Sequence, residues 1–286
     1  MTAKRVLLAV LAHPDDETFG MGGTLALYAK SGADVHLVCA TRGEAGEVDE
    51  AYLHSFSSIA ELREHELRCA AQQLGLAGVH FLNYRDSGMP GSKDNRHPQA
   101  LINAALDELA GIVVACIRQI RPQVVLTFDP IGGYRHPDHI HLQQAAVKAF
   151  YAASDPAAYP ESLPVYAPQK LYFNTIPRTV MRWIVRLMPL VGRDPRKFGI
   201  NGDIDMKSIA EVNFPTNAKI NYGEVLKIRT AASQCHASQG GQQTNKGIAG
   251  LLRGWSSATE TFMLAYPQPK PGYIEKDLFE GVKLDA

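Results

Sequence analysis

Short, wholly apolar runs alternate along this chain with longer segments whose apolar residues recur every three or four positions. Arg5 to Ala12 is nearly all Val, Leu and Ala, the pattern of a strand buried on both faces. Asp34 to Ala40, Val79 to Asn83 and Val124 to Phe128 repeat it. Between them the spacing predicts helices over 20–30, 61–74, 101–120 and 140–152. The second sets Leu62, Leu67, Ala70, Ala71 and Leu74 on one face and stops at Gly75, a residue that readily takes the left-handed conformation that closes helices. Strand and helix in alternation predict an α/β fold: a Rossmann-like, mostly parallel sheet with helices on both faces.

That topology has a chemical consequence. The loops after the four strands emerge at one edge of the sheet, where ligands bind in open α/β folds. His13, Thr41 to Glu47, Tyr84 to Gly88 and Asp129 to His139 all fall in those loops. Beyond about Ser154 the rhythm lapses into frequent prolines, the run LYFNTI and a predicted helix at Tyr222 to Gln234. The expected organisation is a catalytic core over 1–153 and a C-terminal α/β extension over 154–286, packed on the core and completing the substrate pocket. Gln239 to Gly250 reads as a mobile loop. Met181 to Val191 combines apolar residues with Arg182, Trp183 and Arg186. It suits a peripheral membrane contact, a subunit interface or a roof over the site; packing on the body is the expectation.

Composition narrows the class. Lys+Arg and Asp+Glu number 29 each in 286 residues, which argues against the clustered positive face of a nucleic-acid binder. No apolar run is long enough to span a bilayer. The first apolar run is short, meets His and Asp, and lacks a small-residue cleavage site, so it reads as a strand rather than a signal peptide. A cytoplasmic protein is the expectation, with room for a homo-oligomer. Cys39, Cys69, Cys116 and Cys235 show no C-x-x-C spacing and are expected to be reduced core thiols rather than a disulfide framework or a thiolate metal site.

Two short words carry the candidate chemistry: His13-Pro14-Asp15-Asp16-Glu17 and His136-Pro137-Asp138-His139. His13 and Asp16 are three apart, and a turn stiffened by Pro14 brings both to one point. Asp15 projects elsewhere, free to act as a base. Acidic residues at a helix start also serve as caps and offset the helix dipole, and for the pentad alone that reading stays open. His139 adds a third ligand. Two histidines, one carboxylate and an open position make a catalytic zinc set and also a non-haem iron set. Zn²⁺ is the expected cofactor, with Fe²⁺ or another divalent metal as the alternative. His141 points away from the side that presents His139 and reads as structural.

These words, in the forms A-H-P-D-D-E and G-G-Y-R-H-P-D-H, resemble the zinc-dependent N-acetylglucosaminyl deacetylases of the LmbE-like and PIG-L superfamily. The match continues in Thr41-Arg42-Gly43-Glu44-Ala45-Gly46-Glu47, in Arg63-x-x-Glu66-Leu67, in Arg85-Asp86-Ser87-Gly88-Met89 and in His236-Ala237-Ser238-Gln239, and is closest to the mycothiol-type members. It is dense over about residues 4–150 and then reduces to the late patch. The resemblance implies metal binding by His13, Asp16 and His139, with Asp15 as general base. It implies that His136 stabilises the oxyanion or protonates the leaving amine, that Asp138 orients His136 or tunes its pKa, and that Tyr134 closes over the acyl oxygen. Glu47, Arg63 and Asp86 match positions that hold sugar hydroxyls, and His236 is a pocket candidate. Arg135 stands where those members often carry glycine, which bears on pocket shape.

The expected activity is hydrolysis of the N-acetyl group of a GlcNAc-containing small molecule or conjugate. An amidase of a larger N-acyl or thiol S-conjugate substrate is the nearer alternative. A sugar- or nucleotide-binding module without catalysis is the more distant one, disfavoured by intact Asp15 and His136 and by the lack of G-x-G-x-x-G after the first strand.

Overall fold

A computed structural model describes residues 4–161, 163–176, 178–197, 205–243 and 258–284. In chain order its elements are β1 (Val6–Leu11), α1 (Asp16–Lys30), β2 (Asp34–Thr41), α2 (Ile59–Leu74), β3 (Gly78–Tyr84), α3 (Leu106–Ile120), β4 (Val124–Phe128), the single turn α4 (Gly132–Arg135), α5 (Pro137–Ala152), β5 (Lys170–Thr175), α6 (Arg178–Leu187), α7 (Met206–Glu211), β6 (Ala218–Asn221), α8 (Leu226–Cys235) and β7 (Thr259–Tyr266). The strands form one seven-stranded sheet in the order β3-β2-β1-β4-β5-β7-β6. The first five pair in parallel; β7 and β6 add antiparallel. The fold is thus α/β with a mostly parallel sheet, as the alternation predicts, and β5 to β7 of the C-terminal half continue the same sheet.

The chain order reverses between β1 and β4. Strands leave β1 toward β2 and β3 with α1 and α2 on one face, then return to β4 with α3 and α5 packed together on the other. Leu7 to Ala12 and Val124 to Leu126 have no exposure, because both central strands are covered from both sides. The carboxyl ends of β1 and β4 are therefore neighbours at a topological switch point.

Helix ends follow local chemistry. Ser58 caps α2 by accepting the Glu61 N–H at 3.2 Å, and Gly75 closes it at φ 76. Helix α1 starts at Asp16, four residues before the predicted start, and is kinked at Met21. Gly20, Gly22 and Gly23 weaken the helical pattern here. What holds the helix beyond the kink is Glu260 on β7, whose carboxylate accepts the N–H groups of Gly23 (3.0 Å) and Thr24 (2.7 Å). Helix α3 starts five residues after the predicted start, since Leu101–Asn103 forms a separate 3-10 turn.

Two expectations are corrected. Cys69 on α2 and Cys235 on α8 form a disulfide, with Cα atoms 5.8 Å apart; Cys39 and Cys116 are free. The partners are 166 residues apart in sequence, so only the packing of α2 against α8 reveals the pair. The segment around α6 packs on the body only in part: Trp183, Leu187 and Leu190 are 60%, 54% and 80% exposed, while Met188 is buried. Residues 244–250 of the expected mobile loop lie outside the described residues. No helix among the described residues is long and apolar enough to cross a membrane.

The packing of α1, α2 and α8 around Tyr222 tests the fold most directly. A Cβ on Gly23 would stand 2.2 Å from the Tyr222 ring. Gly23→Ala is expected to destabilise the protein by about 1–3 kcal/mol through overpacking, measured as a lower urea midpoint with unchanged slope.

Candidate active site

Both H-P-D words lie at helix starts, but in different frames. In the second, His136 is the N-cap of α5, Pro137 opens the helix, and His136 Nδ1 accepts the Asp138 N–H at 3.2 Å. In the first, the helix begins two residues later: Asp15 is the N-cap of α1, and its side chain makes no capping bond. Asp15 also takes φ 116 and ψ −27, a conformation that costs a residue with a side chain on the order of 1–3 kcal/mol. The turn before it is locked by the Asp16 carboxylate, which accepts the His13 N–H at 2.8 Å.

The edge of the sheet brings three inward-facing side chains together. His13 Nδ1 lies 3.0 Å from His139 Nε2, Asp16 Oδ1 lies 3.3 Å from His139 Nε2, and Asp16 Oδ2 lies 3.6 Å from His13 Nδ1. Ligands at zinc distances in tetrahedral array stand about 3.3 Å apart. The outer ring nitrogens are already engaged. His13 Nε2 meets Asp138 Oδ2 at 3.1 Å and Asp86 Oδ1 at 3.3 Å, and His139 Nδ1 meets the Gly132 carbonyl at 3.2 Å. Acceptors on the outer nitrogens fix the protons there, as around metal-bound imidazoles generally. With the protons there, the inner nitrogens of His13 and His139 present lone pairs to each other across 3.0 Å, an arrangement that a proton or a metal ion between them would stabilise. The ring of Phe128 stacks on His139 with centroids 3.9 Å apart and fixes its plane.

The electrostatics agree. Burial opposes a charge on His13, but Asp86, Asp138 and Asp16 outweigh it and raise that imidazole well above its usual range. Burial would raise Asp16, but His139 and His13 hold it well below. The field that would hold a proton in this cage suits a metal ion equally. Asp138 Oδ1, buried without a hydrogen-bond partner among the described residues, adds an uncommitted oxygen. His136 also brings a ring nitrogen within 4.8 Å of those of His13 and His139, so the donor set fits a metal with a fourth group beside it.

Asp15 stands next to the cage. Arg63 Nη2 reaches its Oδ2 at 3.0 Å and the Pro14 carbonyl at 2.5 Å, and Arg63 Nη1 reaches the Gly43 carbonyl at 3.0 Å. Burial pushes the Asp15 carboxyl up to about 6, against the pull of the guanidinium. Burial also lowers His136 well below its usual range, helped by His13 and His139, and raises the Tyr134 phenol far above its own. Both are therefore neutral donors. The Tyr134 ring lies edge-on to His139 and His136, at 5.0 and 5.8 Å.

Several expected residues do other work. The Asp138 carboxylate bonds His13 and the Ser87 N–H (2.9 Å), so it orients His13; His136 receives only its backbone N–H. His236 has no exposure, and its Nε2 lies 2.7 Å from Glu17 Oε1. It is beneath the site, not in the pocket. Arg63 is buried and committed to Asp15 and loop carbonyls. Asp86 is buried against His13 and accepts the Gly88 N–H at 2.8 Å. Glu47 is exposed, beside Gln239. Arg135 is exposed and reaches Ser208 Oγ on α7 at 3.1 Å. His141 bonds the Ala104 carbonyl at 3.0 Å, a structural contact as expected. Sequence reasoning missed Glu17, fully buried; it looked like one more acidic residue at a helix start.

Fold and site together describe a hydrolase-like centre: a His/Asp cluster that could hold a metal, a carboxylate beside it, and the neutral His136 and Tyr134 close by. The profile of the PIG-L family, described as GlcNAc-PI de-N-acetylase, matches residues 8–150. A 1D-myo-inositol 2-acetamido-2-deoxy-alpha-D-glucopyranoside deacetylase of Geodermatophilus obscurus is 39% identical over 248 residues, 84% of each chain. The chain belongs to the PIG-L family of N-deacetylases. The N,N'-diacetylchitobiose deacetylase of Pyrococcus horikoshii shares the fold, with TM-score 0.63 and 21% identity over 92% of this chain and 84% of that one. A 4-carboxy-2-hydroxymuconate hydratase from Pseudomonas putida shares it too, with TM-score 0.58 and 20% identity over 94% and 99%. The fold alone therefore does not define the reaction.

The close approach of Arg63 to its loop gives a direct test. A Cβ on Gly43, which sits at φ +69, would stand 2.0 Å from Arg63 Nη1. Gly43→Ala should displace the guanidinium from Asp15 and lower the deacetylation rate at least about tenfold, with bound metal retained by elemental analysis.

Proposed function

We propose that this enzyme removes the acetyl group from the amide nitrogen of a GlcNAc-containing small molecule or conjugate, releasing acetate and a free amine. The observation that carries the reading is the cage of His13, Asp16 and His139, with Asp15 beside it. These three residues would hold the metal, which we take to be Zn²⁺. When bound, such an ion polarises the acyl oxygen and makes water acidic enough to attack near neutral pH.

The protein's own groups do the rest. Asp15 accepts the proton of the attacking water and returns it to the amine nitrogen as the C–N bond breaks. Its Arg63 contact leaves Oδ1 as the uncommitted oxygen for that transfer. His136 spends Nδ1 on the Asp138 N–H, so its proton sits on Nε2, placed to donate to the oxyanion as the carbonyl becomes tetrahedral. The Tyr134 phenol is a second neutral donor for the same oxygen. Asp138 and Asp86 hold the ring of His13. For the sugar, the exposed Glu47 is the contact we assign from the loop after β2, with Arg135 at the rim. The curated relatives' substrate, an inositol-linked N-acetylated sugar, and the matching loops support this choice.

Acetate release from N-acetylglucosaminyl inositol, measured with and without chelator, tests the reading; activity that survives metal removal would overturn it. His13→Ala should lose both metal and activity. Asp15→Ala should keep the metal and lose about 10²–10⁴-fold in kcat. Glu47→Ala should raise KM while leaving kcat nearly unchanged. A panel of longer acyl chains separates a deacetylase from an amidase of larger substrates.

A further inference from the structure

We propose that the buried Glu17–His236 pair is a positioning device that holds Asp15 in its working conformation, and that the Cys69–Cys235 disulfide braces it from behind. This rests on the assignment of Asp15 as the base. The peptide group between Pro14 and Asp15 is gripped at both ends. Arg63 Nη2 donates to its carbonyl at 2.5 Å, and Glu17 Oε2 accepts its N–H at 2.9 Å. Arg63 alone cannot fix the plane of that peptide; a second partner on the N–H side does so. The grip matters because Asp15 is held at φ 116, where no local preference would keep it.

Glu17 in turn has defined neighbours. Its Oε1 accepts from Thr18 Oγ1 at 2.5 Å and lies 2.7 Å from His236 Nε2. Both Glu17 and His236 have no exposure, so neither touches substrate. A carboxylate this deep needs hydrogen-bond partners, and His236, 219 residues away in sequence, supplies one through Nε2. His236 follows Cys235 directly, and Cys235 is bonded to Cys69 on α2, the helix that also carries Arg63. Two residues beyond, the Ser238 N–H and hydroxyl both donate to Glu66 of α2 at 2.8 Å. One helix thus carries one grip on the peptide and anchors the residue behind the other, on both sides.

A double-mutant cycle on the metal-loaded enzyme tests this. Glu17→Ala and His236→Ala should each lower kcat about 10–100-fold, the scale of a misplaced catalytic group, with KM and metal content unchanged. Glu17→Gln and His236→Gln, which keep a hydrogen-bonding group in place, should recover most of the loss. If either alanine variant fails to fold, Cys69→Ser carries the cycle: it should lower kcat at unchanged KM and metal content, and add little in the Asp15→Ala background. In an Asp15→Ala background the same substitutions should have little further effect, because they act through Asp15. A full additional loss in that background, or a change confined to KM, would overturn the proposal. Undiminished activity of Asp15→Ala by itself would instead overturn the assignment of the base.

Discussion

The parallel pairing of β1 with β4 is the constraint on which the site depends. Leu7, Leu8 and Ala9 lie opposite Val124, Val125 and Leu126, so strands more than a hundred residues apart in sequence end side by side. His13 and Asp16 enter from one of those ends and His139 from the other, while Asp86 joins from the loop after β3. Because both strands are buried on both faces, their register is fixed by the core rather than by the loops. His13, Asp16 and His139 inherit their spacing from hydrophobic packing, and the loops need only turn the side chains inward.

Negative charge is the second organising element. Asp16, Asp86 and Asp138 surround two imidazoles in a region nearly closed to water, an arrangement that is costly until a cation joins it. One layer away, Arg63 partners Asp15 and His236 partners Glu17. The site is therefore two adjoining polar clusters, one that could take a metal and one whose carboxylates are paired within the protein. Asp15 stands at their boundary, paired with Arg63 on one side and adjoining the His13–His139 cluster on the other.

Much of this was legible in the sequence, and what was not has a common physical cause. The four central strands announce themselves because full burial demands unbroken apolar runs. The two H-P-D words could be placed at one sheet edge from topology alone, and His13, Asp16 and His139 do converge there. The start of α1 was misjudged because three glycines hide a helix that Glu260, from the far end of the chain, holds together. Strand β7 was not anticipated at all; its partners β5 and β6 are antiparallel neighbours that no local pattern names. The roles of Asp138, Arg63 and His236 were displaced for the same reason. Each is decided by which distant group lies within 3 Å, and the Cys69–Cys235 bond follows from helix packing alone.

The two helix frames described above carry a lesson for anyone who would move this chemistry to another scaffold. Sharing three letters does not make the words interchangeable parts. In one, histidine stands two residues ahead of the cap and keeps Nδ1 free to face inward; in the other, histidine is the cap and has surrendered that nitrogen to the backbone. Exchanging the loops would transplant identical residues and scramble their duties. The unit of inheritance at this centre is the phase between motif and helix, and a single inserted residue there would be worse than many substitutions.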